Sequence, residues 1–264
     1  MKLALCYMRG MLLQARVVVI VPAYQEAPRI AAVLRSMPSF VDHILVVDDG
    51  SRDGTAERAL AADDGRVEVI RHAINRGVGA AIATGYMRAM ALAHDPGDAF
   101  AVMAGDGQMH PGDLRALLEP IVRGEADYVK GNRFRAREIA STMPAGRHLG
   151  GLVFSWLTAR ATGLLISDSQ CGYTALRRGA CEMLDLADLW PRFGYPNDLL
   201  GQLAVRGLRV AEVPVRPVYA GEQSKLRAWH LPTIAALVAR AWVRRVTAES
   251  SPAEQIGYGP TTPG

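Results

Sequence analysis

The sequence lacks the signatures of several large protein classes. Its three cysteines form no Cys-x-x-Cys pair, so neither a disulfide framework nor a zinc site is indicated, and a reducing compartment is expected. No Gly-x-Gly-x-x-Gly follows the first apolar strand and no Gly-x-x-x-x-Gly-Lys-Ser/Thr occurs, which argues against a dinucleotide-binding dehydrogenase and a P-loop enzyme. His-Glu-x-x-His and Gly-x-Ser-x-Gly are also missing, which removes the common zinc-protease and hydrolase interpretations.

Long apolar runs are lacking as well. The best candidates for a membrane span, around residues 17–21 and 231–243, are short or interrupted by Arg240, so no membrane-spanning helix is expected. The N-terminal apolar stretch begins like a signal peptide, but Arg9 interrupts it and no small-residue cleavage site follows. Residues 1–15 are therefore interpreted as an N-terminal extension of a cytoplasmic protein.

What is present is enough apolar sequence for a large core. The chain has 264 residues, of which 50% are hydrophobic and 21% charged, which fits one large α/β domain and excludes a disordered or fibrous protein. The net charge of +4 is unevenly distributed, because residues 201–247 contain eight basic side chains against two glutamates. This excess indicates an anionic partner, such as a phosphate or a lipid headgroup, although a solvated face would have the same composition.

Alternating strand and helix patterns predict the fold. Runs of β-branched and other apolar residues at 17–21, 44–47, 67–70 and 100–103 are separated by segments with helical spacing. This order predicts a doubly wound, mostly parallel α/β sheet with helices on both faces, whose ligands bind beyond the carboxyl ends of the strands. The elements expected in the looser second half are helices near 149–162 and 197–205 and a strand at 209–213.

The C-terminal region predicts an amphipathic helix followed by a tail. Apolar residues recur at helical spacing within residues 229–247, with Trp229 and Trp242 flanking them. Such a helix could lie on a membrane surface, and packing against the core is the alternative interpretation. Residues 248–264 are expected to form a flexible tail.

Carboxylates follow two of the predicted strands. Asp48 and Asp49 end the second strand, and Asp106 follows the fourth strand between Gly105 and Gly107. Because the carboxyl ends of parallel strands meet at one edge of a sheet, both sets should reach the same crevice, where Asp106 suits a divalent cation that holds a diphosphate. The alternative for the first pair is an Asp-Gly turn that caps the next helix.

Motifs within residues 16–228 resemble those of the family 2 glycosyltransferases, and the resemblance implies a domain of the GT-A fold. In the first half the motifs lie at 19–26, 48–51, 75–79 and 105–108. Those of the second half are similar to the group of dolichol-phosphate mannose synthases and other polyprenyl-phosphate glycosyltransferases, and they lie at 130–134, 168–173, 195–198 and 224–226.

The resemblance implies an inverting enzyme that moves a hexose from GDP-mannose or a UDP-hexose to a polyprenyl or dolichyl phosphate at the cytoplasmic face of a membrane. It also implies a Mg²⁺ or Mn²⁺ cofactor, peripheral membrane contact and no nucleic-acid partner. The nucleotide-sugar pocket would comprise Pro22, Ala23, Tyr24, Glu26, Asp48, Asp49, Gly105 and Asp106. The metal ligands would be Asp106 and Gln108, the phosphate-binding residues Arg133, Arg147, Ser224 and Lys225, and the catalytic residues Asp106, Arg133 and Asp198.

The sequence departs from the family pattern at two places. The first position of the usual Asp-x-Asp metal motif is Ala104, so Gln108, the donor diphosphate and water would have to complete the metal shell around Asp106. The arginine that the synthases often carry shortly before the Ser-Lys pair is also missing. The acceptor phosphate would then rely on Lys225 with Arg227 or Arg147.

Three alternatives stay open from the sequence. A glycosyltransferase acting on a sugar, peptide or small-molecule hydroxyl would need a base such as Asp198, because an alcohol must lose a proton, whereas a lipid phosphate is already ionised. A sugar-phosphate nucleotidyltransferase is the second alternative, because it shares the sheet. Such an enzyme normally has a glycine-rich, arginine-containing loop after the first strand, and residues 22–26 of this chain lack that pattern. A non-catalytic nucleotide-sugar-binding protein is indicated only by Ala104.

Overall fold

A seven-stranded sheet flanked by helices forms the framework of the computed structural model, which describes residues 15–62, 65–135, 145–216, 218 and 231–250, with the backbone alone at 145–149 and 249–250. The strands are β1 (Val17–Ala23), β2 (His43–Asp48), β3 (Val67–Arg71), β4 (Ala99–Val102), β5 (Tyr128–Asn132), β6 (Thr174–Arg177) and β7 (Val210–Pro214). The helices are α1 (Ile30–Arg35), α2 (Thr55–Leu60), α3 (Val78–Leu92), α4 (Leu114–Val122), α5 (Ala145–Thr162), α6 (Arg178–Cys181), α7 (Tyr195–Val205) and α8 (Leu231–Ser250).

The strands follow the order β3-β2-β1-β4-β6-β5-β7 across the sheet. Strand β1 pairs in parallel with β2 and β4, and β2 pairs in parallel with β3. Strand β6 is antiparallel to both β4 and β5, and β5 is parallel to β7. The predicted mostly parallel sheet is therefore confirmed, with β6 reversed inside it.

Both faces of the sheet are covered, as predicted. Val17, Val19 and Val21 of β1 pack into one core with residues of α1 and α4, whereas Val18 and Ile20 pack into a second core with α3 and α7. All five side chains are fully buried. This explains why the strand reads as a continuous apolar run rather than an alternating one.

The second half of the fold departs further from the sequence predictions. The observed α5, α7 and β7 match the predicted segments to within a few residues, but β5 and β6 were not predicted. Strand β5 contains Lys130 and Gly131, which interrupt an apolar pattern, and β6 has only four residues.

The C-terminal helix α8 packs against α5 and α7. One side of it is buried through Ile234, Leu237, Val238 and Ala241, so the interpretation as a core-packed helix is confirmed for that side. The predicted N-terminal extension lies outside the described residues except for residue 15. Residues 248–250, predicted as the start of a flexible tail, are instead the last residues of α8, and the rest of the predicted tail lies outside the described residues.

Candidate active site

The carboxyl end of β1 joins the two loops that carry the predicted acidic residues. The Pro22 carbonyl accepts a hydrogen bond from the N–H of Gly105 at 3.1 Å, and the Ala23 carbonyl accepts one from the N–H of Asp49 at 2.9 Å. Because β1 lies between β2 and β4, the loops of Asp49 and Asp106 flank the same two residues. The geometry therefore brings both acidic loops to one edge of the sheet.

Asp49 is held in one orientation by three donors. One carboxylate oxygen lies 2.7 Å from Nδ1 of His72 and accepts the N–H of Arg76 at 2.9 Å, and the other accepts the N–H of Gly77 at 2.7 Å. Nε2 of His72 lies 3.0 Å from the hydroxyl of Thr84 on α3. Since a carboxylate only accepts hydrogen bonds, Nδ1 of His72 is the donor in this pair. Sequence reasoning missed His72, whose only signal is its position directly after β3.

Asp48 has a structural role in the turn after β2. Its side chain is fully buried, one oxygen accepts the N–H of Ser51 at 3.0 Å, and the other lies 3.4 Å from Nε of Arg71. Gly50 has a φ of +77°, a conformation that glycine adopts without strain. The Ser51 hydroxyl in turn accepts the N–H of Gln25 at 3.0 Å, which ties this turn to the end of β1.

The turn after β1 presents an aromatic ring at this edge. Tyr24 is 47% exposed, and Gln25 has a φ of +58°, the only positive value of a non-glycine residue in the described parts of the chain. Such strained residues cluster at ligand sites. Glu26 is buried, with its carboxylate 3.1 Å from Nη1 of Arg29 and its N–H donated to the Thr55 hydroxyl at 2.9 Å. Of the two pocket residues predicted at this turn, Tyr24 is thus exposed, whereas Glu26 is buried and fixes the turn.

The loop after β4 forms a tight turn around Asp106. Its carboxylate accepts the N–H of Gln108 at 3.1 Å, and Gly107 has a φ of +75°. The Gln108 carbonyl accepts the N–H of Val218 at 3.0 Å, so the segment after β7 reaches this loop. Ala104 occupies the position of the usual first aspartate.

The donor set of this loop fits Mg²⁺ or Mn²⁺ only as part of a larger shell. A carboxylate and an amide oxygen are the hard ligands that these ions prefer. Among the residues that the structure describes, however, no three His, Cys, Asp or Glu side chains are grouped to hold a metal ion. Asp106 and Gln108 would therefore hold a cation together with phosphate oxygens and water.

Arg133 is anchored by a buried carboxylate at the end of β5. Its Nε and Nη2 donate to the two oxygens of Asp168 at 2.8 and 2.9 Å, and its N–H donates to the same carboxylate at 3.0 Å. Burial alone raises the pKa of Asp168, but the hydrogen bonds and charge of Arg133 outweigh it and hold that pKa below the usual value. The predicted phosphate-binding arginine therefore has a fixed orientation, and its partner was not predicted.

Two further charged groups are buried beside this pair. Glu212 of β7 accepts the Ser167 hydroxyl at 2.8 Å and the N–H of Asp168 at 2.9 Å, so it shapes the segment that holds Arg133. Lys130 donates to the carbonyl of Cys171, and burial lowers the pKa of this lysine. Lys130 and Glu212 each lie within an otherwise mostly apolar segment of the sequence. This pattern was the available signal that these charged residues are buried.

Asp198 lies beneath α8. Its side chain is fully buried, and one oxygen accepts the N–H of Trp190 at 2.9 Å. The other oxygen lies 2.8 Å from Nη1 of Arg244 and 3.4 Å from Nη1 of Arg240. Within the described part of the chain, the hydrogen-bond and ion-pair partners of Asp198 thus come from the loop before α7 and from α8, and none comes from the loops of Asp49 or Asp106.

Four arginines of the basic C-terminal region are ion-paired, whereas Lys225 and Arg227 of that region lie outside the described residues. Arg240 and Arg244 form ion pairs with buried or half-exposed aspartates, and Arg209 and Arg216 pair with Asp127 and Asp113. Strand and helix neighbours distant in sequence neutralise these charges. Composition counted the arginines but could not show their partners.

The outer faces of α5 and α8 are apolar instead. Trp156 of α5 is 62% exposed and Trp242 of α8 is 55% exposed. The other exposed large apolar residues of these two helices are Leu152, Val153, Leu157, Leu231, Val243 and Val246. Over the described residues, none of the helices has the length and apolar character needed to cross a bilayer.

Three of the predicted phosphate-binding positions cannot be placed within this geometry. Ser224 and Lys225 lie outside the described residues, and so does the side chain of Arg147. Their assignment stays a prediction.

Comparison with known sequences identifies the family. The profile described as "Glycosyl transferase family 2" matches residues 18–184. The chain belongs to this family and is a glycosyltransferase. The matched segment contains the loops of Asp49 and Asp106 and the Arg133–Asp168 pair.

Curated relatives extend the similarity to residues beyond that segment. The chain is 29% identical over 215 residues to a UDP-N-acetylglucosamine–dolichyl-phosphate N-acetylglucosaminyltransferase of Methanococcus voltae, covering 76% of this chain and 84% of the relative. It is 30% identical over 208 residues to the polyprenol monophosphomannose synthase of Mycolicibacterium smegmatis, covering 76% of each. The resemblance to the polyprenyl-phosphate group is thereby confirmed.

Solved structures confirm the GT-A fold. The fold matches glucosyl-3-phosphoglycerate synthase from Mycobacterium tuberculosis, solved with Mn²⁺, UDP and glucosyl-3-phosphoglycerate, with a TM-score of 0.64 and 20% identity over 91% of this chain and 82% of that one. A complex of that enzyme with Mn²⁺ and UDP-glucose matches with the same TM-score and 21% identity, over 92% of this chain and 82% of that one.

Proposed function

We propose that this protein transfers a hexose from GDP-mannose or a UDP-hexose to a polyprenyl or dolichyl phosphate, with inversion at the anomeric carbon, at the cytoplasmic face of a membrane. The observation that carries the proposal is the similarity, over three quarters of the chain, to relatives whose names state polyprenol or dolichyl phosphate chemistry. The sugar and the base are not distinguished by these relatives, since one is named for N-acetylglucosamine and another for mannose.

The edge formed by β1, β2 and β4 is the proposed nucleotide-sugar site. Tyr24 offers its ring to the base, and Asp49, fixed by backbone donors, faces the base or ribose. Gly105 lets the loop after β4 pack closely against the end of β1, because a Cβ atom there would lie 3.2 Å from Cβ of Ala23 and 3.1 Å from Cδ1 of Ile30. Pro22, Ala23, Glu26 and Asp48 shape the pocket.

Asp106 and Gln108 would hold Mg²⁺ or Mn²⁺, which when bound neutralises charge on the donor diphosphate as the nucleoside diphosphate leaves. Within the protein itself, Asp106 presents its carboxylate at the tip of a turn that the Gln108 N–H stabilises. Structural neighbours were solved with Mn²⁺.

The proposed acceptor needs positioning rather than deprotonation. A phosphate oxygen of the lipid is ionised at neutral pH and attacks the anomeric carbon as the nucleoside diphosphate departs from the opposite side. Arg133, oriented by Asp168, is proposed to bind phosphate together with Arg147, Ser224 and Lys225. No general base is required, which agrees with the ion-paired state of Asp198.

Peripheral contact with a lipid surface is supported by the outer faces of α5 and α8. Each carries one well-exposed tryptophan among aliphatic side chains. Tryptophan favours the boundary between water and lipid, where an amphipathic helix lies in the plane of the membrane. Such a contact would bring the site to an acceptor that resides in the bilayer.

The test incubates purified protein with labelled GDP-mannose, UDP-glucose and UDP-N-acetylglucosamine, polyprenyl phosphate, and Mg²⁺ or Mn²⁺. We expect label from at least one donor to enter the organic phase. Label that stays aqueous for every donor while nucleoside diphosphate accumulates would contradict the lipid acceptor and favour a water-soluble one. No donor turnover under any condition would favour a non-catalytic binding protein.

A further inference from the structure

Asp198 belongs to an ion-pair network that joins α8 to the loop before α7. Arg240 and Arg244 of α8 each contact both Asp188 and Asp198. The network therefore fixes both ends of the segment from Asp188 to Asp198. Within this segment, the Trp190 N–H donates a hydrogen bond to Asp198. A buried carboxylate with two arginines is an anchor of this segment.

The anchored segment lies directly on the first turn of α3. The Pro191 carbonyl accepts the N–H of Ala80 at 3.0 Å. A Cβ atom added at Gly79 would lie 2.1 Å from the Trp190 carbonyl oxygen, and one at Gly77 would lie 2.4 Å from the Pro191 carbonyl oxygen. Only glycine at these positions permits the two backbones to approach so closely.

The two residues directly before α3 supply donors that orient Asp49. The N–H groups of Arg76 and Gly77 bind the two Asp49 oxygens at 2.9 and 2.7 Å. A continuous series of contacts therefore runs from α8 through Asp198 and the Trp190–Pro191 segment to the edge proposed to bind the nucleotide.

We propose that Asp198 is a positioning residue: by fastening α8 to the Trp190–Pro191 segment, it holds the first turn of α3 and thereby the orientation of Asp49. The proposal rests on the proposed function only in taking the Asp49 edge as the nucleotide site. A general base must reach the acceptor hydroxyl, whereas the contacts of Asp198 are with a backbone N–H and two guanidinium groups.

The experiment compares Asp198→Asn, Arg244→Met and the double variant in the full chain. Hydrogen exchange of the amides in residues 75–80 tests the link without any ligand. The affinities for UDP and GDP in the presence of Mn²⁺, and the kcat and donor KM of transfer, test its consequence. Arg88→Met is the matched control, because it removes an exposed arginine–carboxylate pair from the same helix α3.

Both single variants are expected to accelerate exchange at residues 75–80 and to weaken nucleotide binding by about 5- to 30-fold, with kcat changed by less than about threefold. Because the two residues act through one pair, the double variant should resemble either single one rather than their product. The control should leave exchange and affinity unchanged. Gly79→Ala, which displaces the Trp190 carbonyl without touching the ion pairs, is expected to reproduce the loss of affinity.

Two outcomes would overturn the proposal. One is a loss of kcat by a factor of about 10³ in Asp198→Asn but not in Arg244→Met, which would make Asp198 a base. The other is wild-type exchange at residues 75–80 in Arg244→Met. This variant keeps the Asp198 carboxylate, so the result would not depend on whether Asp198→Asn folds. Faster exchange in the variants, combined with a wild-type protein that binds neither UDP nor GDP, would support the link and contradict the proposed function instead.

Discussion

The two halves of the sheet hold their polar groups in different ways. In the parallel half, β1 to β4, Asp49 is bound by two backbone N–H groups and a histidine, and Asp48 accepts one backbone N–H and lies 3.4 Å from Nε of Arg71. In the mixed half, β5 to β7, charged side chains pair with one another, as Arg133 does with Asp168. The first half builds its site from turn geometry, and the second fixes orientation through buried charge pairs.

This contrast has an energetic side. Backbone donors are present whatever the side chain, so turns of the parallel half need only the right backbone conformation. A buried ion pair depends on both partners, because losing one leaves an uncompensated charge. Single charge substitutions should therefore lower stability more in the mixed half than in the parallel half. In the parallel half, they should instead mainly weaken ligand binding.

The largest effect is expected for Asp106→Ala in the parallel half. Asp106 is the carboxylate that we propose to hold the cation, and Ala104 provides no substitute. We expect transfer to fall by a factor of roughly 10²–10³ and donor binding to weaken, as for loss of a group that stabilises developing charge. Transfer assays and nucleotide titrations with Mn²⁺ measure both, with Asp95→Ala on an exposed turn as the control. Unchanged rates would remove the cation from the proposed mechanism.

Asp168→Asn tests whether the mixed half depends on its buried ion pairs for stability. Removing the charge that anchors Arg133 is expected to lower the free energy of unfolding by about 3–5 kcal/mol. Glu68→Gln, which disrupts the exposed pair with Arg88, should cost only about 0–1 kcal/mol. Urea denaturation of both variants measures the difference. Equal losses would mean that the mixed half does not depend on its buried pairs.

A smaller effect is expected on the apolar outer faces of α5 and α8. The double variant Trp156→Ser and Trp242→Ser should bind vesicles of phosphatidylcholine and phosphatidylglycerol about tenfold more weakly, since two large apolar surfaces no longer enter the lipid boundary. Co-sedimentation measures the binding. Leu60→Ser, at an exposed position of α2, is the control. If wild type and double variant bind equally, these faces do not meet lipid.

The smallest effect is a change of stability in acid. Hydrogen bonding to Arg209 holds the pKa of Asp127 below its usual value, and Arg133 does the same for Asp168 against the opposing effect of burial. Carboxyls of lowered pKa stabilise the fold at pH values above the ordinary pKa of 3.8, and this contribution is lost as the pH falls through the lowered value. Urea titrations between about pH 5 and pH 2 should show this loss, with a shallower dependence in Asp168→Asn. An identical slope in that variant would contradict the assignment.

The parallel half could be predicted from the sequence in some detail. Strands β1, β2 and β4 contain uninterrupted apolar runs, whereas Glu68 lies within β3. Asp49 follows β2 and Asp106 lies in the loop after β4, so local spacing predicted both the sheet and the convergence of the two loops. Even there, His72 was missed, because nothing in the spacing links it to a residue 23 positions earlier.

The mixed half could be predicted only in part. Lys130 and Gly131 concealed β5, and the partners of the charged residues are remote in the sequence: Arg133 and Asp168 are 35 positions apart, and Asp198 and Arg244 are 46 apart. Such pairs form because packing brings elements together, which periodicity does not describe. The charge count of the C-terminal region therefore did not reveal that Arg209, Arg216, Arg240 and Arg244 are ion-paired.

The contacts of α8 determine where the protein can be truncated without loss of folding. Arg240 and Arg244 point toward Asp188 and Asp198, and the buried side of α8 packs on α5 and α7. A shortened chain ending at residue 228 would leave those two aspartates without their countercharges and expose the apolar residues that α8 covers. The family motifs end before α8, but the helix completes the folding unit. A shortened protein that is meant to fold should therefore retain α8.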